Sequence, residues 1–375
     1  MKFKLIWLSA LGLAVGGAAQ AQSSMTIFGV MDLGVQRTTA DGVGSVNAVS
    51  NGGYSTSQLG FRGTEDLGGG MTAGFWLEGS LNPDTGAGRA TNTNNQASGA
   101  TTAGGLTFDR RSYVSLAGNW GELRLGHDFT PSHYNSIYFD PFNANGVARA
   151  GNLTFTGVGN APLYTAITAS NSVSYWLPGN LGGWYGVAMV GLGENASNTA
   201  NAQDGNFTSA RLGYASGALD VAGSITRTRY ATTATLGDYT HANIGASWDA
   251  GVVKLFGLYN AVRVNLTGGT VRKNTLEVGA HIPVGPTGRI RVSYSRLDDT
   301  SASSLLNADG SARSSNDARQ LGLGYVHTMS KRTALYTTYS RLQNSGQANY
   351  LVSGGAAPLA GRNSTGLEFG IRHLF

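Results

Sequence analysis

The chain has 375 residues, with 56 glycines, no cysteine and a net charge of +5. The lack of cysteine excludes disulfides, thiolate nucleophiles and cysteine-ligated metals. Glycine follows no Gly-X-Y period, which excludes collagen. The chain has no basic cluster and no recognised nucleic-acid-binding motif, which disfavours nucleic-acid binding. The surplus of arginine instead favours contact with anions or a charged water channel.

The N-terminus has the three regions of a secretory leader. Lys2 and Lys4 give a positive start, residues 5–17 are largely apolar, and an Ala-Gln-Ala cleavage site ends at Ala21. The apolar run is too short to span a membrane as a helix, which takes about 20 apolar residues. The pattern predicts a signal peptide over residues 1–21 and a single domain over residues 22–375.

The rest of the chain repeats about ten residues of alternating polarity followed by a polar stretch. In residues 25–36 one face is apolar, whereas the other carries Thr26, Asp32 and Gln36. Residues 58–62, 71–81, 208–215 and 275–282 alternate in the same way. Because a charge facing the middle of a bilayer costs about 2–4 kcal/mol, we expect the charged faces to point inside a closed barrel.

The connections between these segments are of two kinds. Residues 65–70, 118–121, 179–183, 216–217 and 328–332 form short turns, whereas residues 40–56, 82–105, 194–206 and 298–317 form long polar loops. Short turns at one rim and long loops at the other are typical of outer-membrane barrels. The sequence therefore predicts an all-β fold, a transmembrane antiparallel β-barrel of about 16 strands with both termini at the short-turn rim.

The last strand alternates up to the C-terminal residue. Leu367, Phe369, Ile371 and Phe375 share one face, whereas Arg372 lies on the other. We expect this strand to close the barrel against the strand that begins near Met25. Tyr and Trp near the strand ends fit the aromatic girdles of a membrane protein.

Six segments carry a family resemblance. In chain order they read SSMTIFGVMDLGV, SQLGFRGTEDLGGGMTAGFWLE, FDRRSYVSLAGNWGELRLGHDFTP, NSVSYWLP, GYVHTMSKRTALYTTYS and GIRHLF. Together they resemble the general porins of β-proteobacteria. The resemblance implies a water-filled outer-membrane channel for passive diffusion of small hydrophilic solutes and ions. It also implies a homotrimer, contact with outer-membrane lipid and lipopolysaccharide, and recognition of Phe375 by the barrel-assembly machinery.

The resemblance further implies that the third long loop folds inward and narrows the pore. This constriction loop should span residues 128–162, directly after a fifth strand over residues 122–127. About 35 residues without strand-like alternation is long for a routine connection, and such loops are usually functional or disordered. The stretch is rich in aromatic residues, so we expect it to pack on the barrel wall.

Charged side chains at a constriction determine which ions a channel favours. By strand parity, the inward cations should be Arg62, Arg110, Arg124, Arg211, Arg291 and Arg372. Opposing acids should be Asp32, Glu78 and Glu122 on the wall and Asp140 on the loop. Arg149 is the loop's only cation. His127 stands where the family usually has an arginine, which weakens the local positive field. We therefore expect a mild anion preference, with Arg62, Arg110 and Arg124 nearest the constriction.

Two other functions compete with a general porin. Loop aromatics such as Tyr134 and Tyr138 could stack on sugar rings in an oligosaccharide-specific porin, although packing on the wall is the simpler interpretation. A barrel enzyme is less favoured, since the chain has no GxSxG motif and no HExxH spacing. No cofactor or metal is expected.

Overall fold

The computed structural model describes residues 24–102, 104–155 and 163–375. The predicted signal peptide, residues 1–21, lies outside the described residues, so the domain boundaries remain a prediction. Across the described ranges, no helix is long and apolar enough to cross a membrane.

The described residues form eighteen β-strands and two α-helices. The strands are β1 (Ser24–Ala40), β2 (Gly44–Asn51), β3 (Gln58–Gly68), β4 (Met71–Asn82), β5 (Ala87–Gly88), β6 (Arg111–Gly118), β7 (Gly121–Phe129), β8 (Thr168–Trp176), β9 (Trp184–Gly191), β10 (Phe207–Ser216), β11 (Leu219–Thr228), β12 (Tyr239–Asp249), β13 (Lys254–Leu266), β14 (Gly269–Val284), β15 (Gly288–Asp299), β16 (Ala318–Thr328), β17 (Thr333–Asn344) and β18 (Ser364–Leu374). The helices are α1 (Pro131–Phe139) and α2 (Gly151–Thr154).

The strands close into an antiparallel barrel with sixteen wall positions. β2 and β3 share one position, because both pair with the same side of β1 one above the other. β5 is a two-residue pairing within a loop. The barrel closes where β18 pairs with β1, from Val30 opposite Leu374 to Ala40 opposite Ser364. The predicted fold and strand number are confirmed.

One predicted loop is wrong. Residues 40–56 were expected to be a long loop, but the chain turns sharply at residues 41–43 and β2 then pairs with the upper half of β1. Gly42 allows this turn because its φ of 82° lies in the left-handed region. β1 is 17 residues long, so its upper end has unpaired backbone groups that β2 satisfies.

Side chains alternate across the wall as predicted. Ile244, Val278 and Leu323 are exposed on the outer face, whereas polar groups such as Asn243 and Gln320 are buried on the inner face. The inner groups are buried because the described parts of the connection between β7 and β8, residues 130–155 and 163–167, fold into the barrel. This connection contains α1 and α2, so the constriction loop begins two residues later than predicted.

The barrel seam seats the C-terminal residue. The backbone N–H and C=O of Phe375 each bond with Gly29 at 3.1 Å. The Phe375 ring covers Gly29 so closely that a Cβ at this glycine would overlap the ring. The terminal strand therefore packs against the start of β1 through backbone pairing and an aromatic contact.

Candidate permeation site

Helix α1 is fixed to the far side of the inner wall by polar contacts. It begins with Pro131 at its first position, where a missing N–H costs nothing. The Asn135 amide donates to the Ala222 carbonyl at 3.0 Å and to Asn243 Oδ1 at 2.8 Å. Asn243 in turn donates to the Ser132 carbonyl at 2.9 Å. These bonds join the helix to β11 and β12.

Glycines on the inner wall make room for the loop. Phe139 packs against Gly245 of β12, where any Cβ would overlap the ring. A Cβ at Gly322 of β16 would lie 2.7 Å from the Ala148 Cβ and 2.9 Å from the Phe142 ring. The loop thus approaches the wall more closely than larger side chains would permit, which leaves the remaining cross-section for water.

Asp140 organises the loop instead of facing the pore, which corrects the sequence-based prediction. The carboxylate is fully buried and accepts backbone N–H groups from Phe142 at 2.7 Å, Ala144 at 3.1 Å and Ala150 at 2.9 Å. Burial raises the pKa of Asp140 to about 6, and the three N–H donors oppose that rise.

Helix α2 holds the returning part of the loop against β14 and β16. The Asn152 amide donates to Gln320 Oε1 at 2.8 Å. Lys273 Nζ donates to the Leu153 carbonyl at 3.3 Å, and this lysine is buried. Strand parity can predict that Lys273 points into the barrel. It cannot predict that the loop covers this lysine.

Two internal cavities meet beside the loop. One, of about 380 Å³, opens toward the long-loop rim, and the other, of about 360 Å³, opens toward the terminal rim. The residues common to both linings are Thr56, Arg110, His133, Ala144 and Asn145. Arg110 comes from the wall, whereas Ala144 and Asn145 come from the loop, so the narrow zone lies between these two elements.

The Arg110 side chain is held by its surroundings. It forms an ion pair with Glu78, whose side chain is only 3% exposed, and its Cζ lies 4.9 Å from the centre of the Phe129 ring. Glu78 also accepts the Trp76 indole N–H at 2.8 Å. Glu78 is therefore a buried support for Arg110, not an independent charge on the water path.

Arg111 contributes to the same wall and was missed by the parity argument. It lies 3.7 Å from Glu78 and 3.4 Å from Asp128, and it stacks on Trp76 and Phe129. Arg110 lies just before β6, which begins at Arg111. The two side chains therefore need not point to opposite faces of the wall, as neighbours within a strand would. The result is a chain of alternating charges, in the order Arg110, Glu78, Arg111, Asp128, Arg124 and Glu122.

Three of the predicted wall charges lie toward the terminal rim. Arg62, Arg124 and Glu122 line a third cavity of about 410 Å³. Arg62 stacks between the Phe28 and Trp76 rings and forms no ion pair within the described residues. These residues face the barrel interior, but they lie below the narrow zone.

Arg372 belongs to the cavity directly below the narrow zone. It lines that cavity, and its Cζ lies 4.8 Å from the centre of the Tyr54 ring. The lining holds Arg110 and Arg372 and no carboxylate of any described residue. The sequence-based prediction placed Arg62, Arg110 and Arg124 nearest the constriction, whereas in the structure Arg372 also lies next to the narrow zone.

Asp32 does not line the pore, which is a second correction. Its fully buried carboxylate accepts the Tyr54 N–H at 2.9 Å, the Ser55 N–H at 2.5 Å and the Tyr336 hydroxyl at 2.6 Å. Parity placed Asp32 on the correct face, but the segment between β2 and β3 covers it. Asp32 therefore stabilises the segment that connects β2 to β3.

His127 is likewise structural. One ring nitrogen lies 2.8 Å from Ser170 Oγ and the other 2.9 Å from the Asp109 carbonyl oxygen. The imidazole is buried between β7 and β8 and is absent from the linings of the three cavities.

Arg211 and Arg291 face inward but support the loop. Arg211 donates to Asn135 Oδ1 at 2.6 Å and is buried under α1. Arg291 is fully buried between the rings of Tyr54 and Phe142, 4.9 and 4.6 Å from their centres. Both were predicted to be inward cations of the pore, and both are corrected to supports of the loop.

Two loop arginines border the upper cavity. Arg149 of the constriction loop donates to Asn152 Oδ1 at 3.2 Å. Desolvation, followed by the charge of Arg89, lowers the pKa of Arg149. Arg89, which the sequence did not single out for the pore, comes from the second long loop and donates to amide oxygens of Asn51 and Asn82. Neither amide neutralises the guanidinium charge.

These features define a class of protein. The barrel is closed, its outer wall is apolar, and charged cavities run past an inward loop, as in a transmembrane β-barrel channel.

The chain belongs to the Gram-negative porin family, whose sequence profile matches residues 8–347. It is 36% identical to outer membrane porin protein 32 of Delftia acidovorans, an alignment that covers all of both chains. It is 26% identical to an outer membrane porin protein of Bordetella pertussis over 99% of this chain and all of the relative.

Solved structures agree with this placement. An anion-selective porin from Comamonas acidovorans superposes with a TM-score of 0.80 and 34% identity, covering 94% of this chain and 100% of that one. The trimer form of OmpT from Vibrio cholerae shares the fold at a TM-score of 0.62 and 12% identity, covering 94% and 99%. The protein is therefore a porin channel of the outer membrane.

Proposed function

We propose that this porin passes small hydrophilic solutes and ions by passive diffusion with a mild preference for anions. The observation that carries the proposal is the cavity below the narrow zone, which is lined by Arg110 and Arg372 and by no described carboxylate. Positive charges beside a narrow water path favour anions. The relative from Comamonas acidovorans, described as an anion-selective porin, supports the same sign.

The preference should be mild because most wall arginines are already paired. Arg111 and Arg124 each lie within ion-pair distance of two acids. The lining of the upper cavity is balanced, since it holds three arginines and three acidic residues: Arg89, Arg110, Arg149, Asp84, Asp109 and Glu368. Electroneutral pairs create weak fields at the distances at which ions pass.

Reversal potentials across a planar bilayer test this proposal. With a tenfold KCl gradient, we expect the potential to indicate that chloride permeates faster than potassium. Replacing chloride by a large organic anion should abolish that preference while the pore stays open. A reversal potential of the opposite sign would contradict the proposal.

We also propose a homotrimer and no catalytic activity. The OmpT structure from Vibrio cholerae is described as a trimer form, and the outer wall near the seam carries an apolar groove lined by Val35, Val49, Leu367 and Phe369. Such a groove suits a subunit contact. Analytical ultracentrifugation in detergent and heat-dependent migration on a gel would reveal a monomer if the proposal fails.

The aromatic residues of the loop favour a general porin over an oligosaccharide-specific one. Phe139 and Phe142 are fully buried and Tyr134 is 4% exposed, so their faces are not free to stack on a sugar. Tyr138 is exposed, but a single ring is a small platform. We expect maltodextrins to cause no block of single-channel current, whereas a concentration-dependent block would favour the oligosaccharide-specific function.

A further inference from the structure

The second long loop is folded into a hairpin that crosses the rim of its own barrel. In the hairpin, the Thr93 N–H donates to the Gly99 carbonyl at 2.9 Å and the Thr101 N–H donates to the Thr91 carbonyl at 3.0 Å. The hairpin leaves the wall between β4 and β6, and its tip reaches β8. We call residues 88–102 the strap. The sequence predicted a long polar loop here, but not that the loop is tied to a distant part of the same rim.

Asn95 fastens the tip of the strap. Its side-chain amide is bonded twice to the backbone of Ser170 in β8, since it donates to the Ser170 carbonyl at 3.0 Å and accepts the Ser170 N–H at 2.8 Å. Ser170 lies at an irregularity in the pairing of β7 with β8, where it has no partner in β7. Asn95 is 1% exposed, and its φ of 63° lies in the left-handed region, which asparagine tolerates better than most residues. The amide therefore supplies the donor and the acceptor that β7 does not.

Two further bonds tie the tip to other elements of the same barrel. The Tyr230 hydroxyl, from the loop after β11, donates to the Asn95 carbonyl. The Gln96 amide donates to the carbonyl of Gly193, which follows β9, at 2.7 Å. Gly205 permits this close approach, because a Cβ there would lie 2.7 Å from the Gln96 Cγ. The strap is thus bonded to β8 and to the loops that follow β9 and β11.

The fastening point is joined to both ends of the constriction loop. Ser170 lies two residues after the start of β8, into which the loop returns, and its hydroxyl lies 2.8 Å from a ring nitrogen of His127 in β7. The second ring nitrogen lies 2.9 Å from the carbonyl oxygen of Asp109, in the segment that leads from the strap to β6. The Thr130 N–H donates to the Ile167 carbonyl at 2.9 Å and closes the base of the loop. The strap therefore rests on the two strands that carry the constriction loop.

The base of the strap holds Arg89 at the upper cavity. The guanidinium donates to Asn51 Oδ1 and to Asn82 Oδ1, each at 3.2 Å, and it lines the cavity together with Arg149 of the constriction loop. Desolvation, and then the charge of Arg89, lowers the pKa of Arg149, so the two positive charges act on each other across the cavity. Because like charges repel, the position of Arg89 depends on bonds made elsewhere in the strap.

We propose that the strap is a clasp that each barrel closes over its own mouth, and that Asn95 is the positioning residue that holds Arg89 at the pore entrance. The alternative is a strap that lies on a neighbouring copy. The contacts of the tip disfavour this alternative, because the tip is already bonded to three elements of its own barrel. The proposal goes beyond the ion preference of the pore and does not depend on its sign.

Cross-linking tests where the strap lies. The chain has no cysteine, so two introduced thiols are the only ones present. The variant is Gln96→Cys/Asn195→Cys, because the Gln96 amide lies 3.3 Å from Asn195 Oδ1 and both side chains are partly exposed. After treatment of the porin in detergent with a short bismaleimide, we expect single chains with an internal link on a denaturing gel. Covalent dimers or trimers would place the strap on another copy, and unlinked thiols would show that it is not docked, so either result overturns the proposal.

Trypsin tests whether Asn95 fastens the strap. Arg89 is the only basic residue in the sequence of the strap, and cleavage after it requires the strap to leave the rim. Asn95→Gly keeps the left-handed backbone but removes two hydrogen bonds, so the rate of cleavage should rise about 10- to 30-fold with the released fraction. The matched control is Asn94→Gly, because the side-chain bonds of Asn94 lie within the strap. It should be cleaved at the rate of the wild type.

Single-channel recordings link the strap to the pore. Release of the strap moves Arg89 away from the upper cavity, so brief current steps should be about 10- to 30-fold more frequent in Asn95→Gly, and the internal cross-link should suppress them. Cleavage rates and current steps equal to those of the wild type, or equal changes in Asn94→Gly, would overturn the role of Asn95. If Asn95→Gly does not fold, the cysteine variant recorded before and after cross-linking decides the matter. The reversal potential of the wild type is measured separately, so a failure of the anion preference does not affect this test.

Discussion

The cavity below the narrow zone makes a quantitative prediction for Arg372→Gln. Arg372 is one of two arginines in the lining of that cavity, and the other, Arg110, is paired with Glu78. The change removes one full charge and a contact with the Tyr54 ring. It does not leave a buried acid unpaired, because Arg372 forms no ion pair within the described residues.

The size of the effect follows from Coulomb's law. A chloride ion passing about 7 Å from a guanidinium in water gains about 0.6 kcal/mol, and screening at 0.1 M salt leaves about 0.3 kcal/mol. A potassium ion loses the same amount. Arg372→Gln should therefore reduce the chloride-to-potassium permeability ratio about threefold. At 1 M salt, where the screening length is about 3 Å, the change should nearly vanish.

Reversal potentials measured in KCl gradients at both ionic strengths check this prediction. The control is Arg332→Gln, which lies in the turn between β16 and β17 and is absent from the linings of the three internal cavities. It should leave the ratio unchanged. A ratio that is unaffected by Arg372→Gln at 0.1 M, or that changes equally at 1 M, would refute the electrostatic reasoning.

Three further predictions concern the loop and the seam. Burial, and then the charge of Arg110, lowers the pKa of His133 to about 3. His133→Gln should therefore not alter ion selectivity between pH 5 and 8. A change of ion selectivity near pH 6.5 that occurs in the wild type but not in the variant would contradict this prediction. The same shift means that the stabilising effect of neutral His133 is fully present above pH 6.5 and is lost as pH falls toward 3, which urea unfolding checks. Gly245→Val should displace Phe139 into the channel, lower the single-channel conductance and reduce the free energy of unfolding by about 1–3 kcal/mol through overpacking. If the variant has the same conductance as the wild type, the loop does not rest on this glycine. Phe375→Ala should reduce the amount of porin assembled in the outer membrane, while protein refolded in detergent keeps wild-type conductance; equal loss in both assays would assign the ring to stability alone.

Three buried charges on the inner face show what strand parity can and cannot predict. Parity placed Asp32, Arg211 and Arg291 on the inner face, and the structure agrees. It could not show that other segments cover all three, because burial on the inner face depends on residues far away in the chain. Arg211 lies under Asn135, for example, 76 positions earlier.

Arg263 and Arg272 show the opposite limit. The rule that charges face inward predicts the inner face for both, whereas the structure places both on the outer face, with the residues on either side of each arginine buried on the inner face. What the sequence does not reveal is that the two arginines stand opposite each other. That pairing depends on the register between β13 and β14, which the turn between them sets.

The sequence by itself determined the barrel and its strand number of about sixteen, whereas the inward loop was expected from the family resemblance. The barrel follows from local patterns, because alternation assigns a side chain to a face regardless of what the rest of the chain does. Only the tertiary structure decided which inner charges reach water. That outcome depends on where the loop packs, and contacts such as Phe139 with Gly245 and Asn152 with Gln320 join segments that are distant in sequence. The channel therefore depends on long-range packing that strand periodicity does not encode.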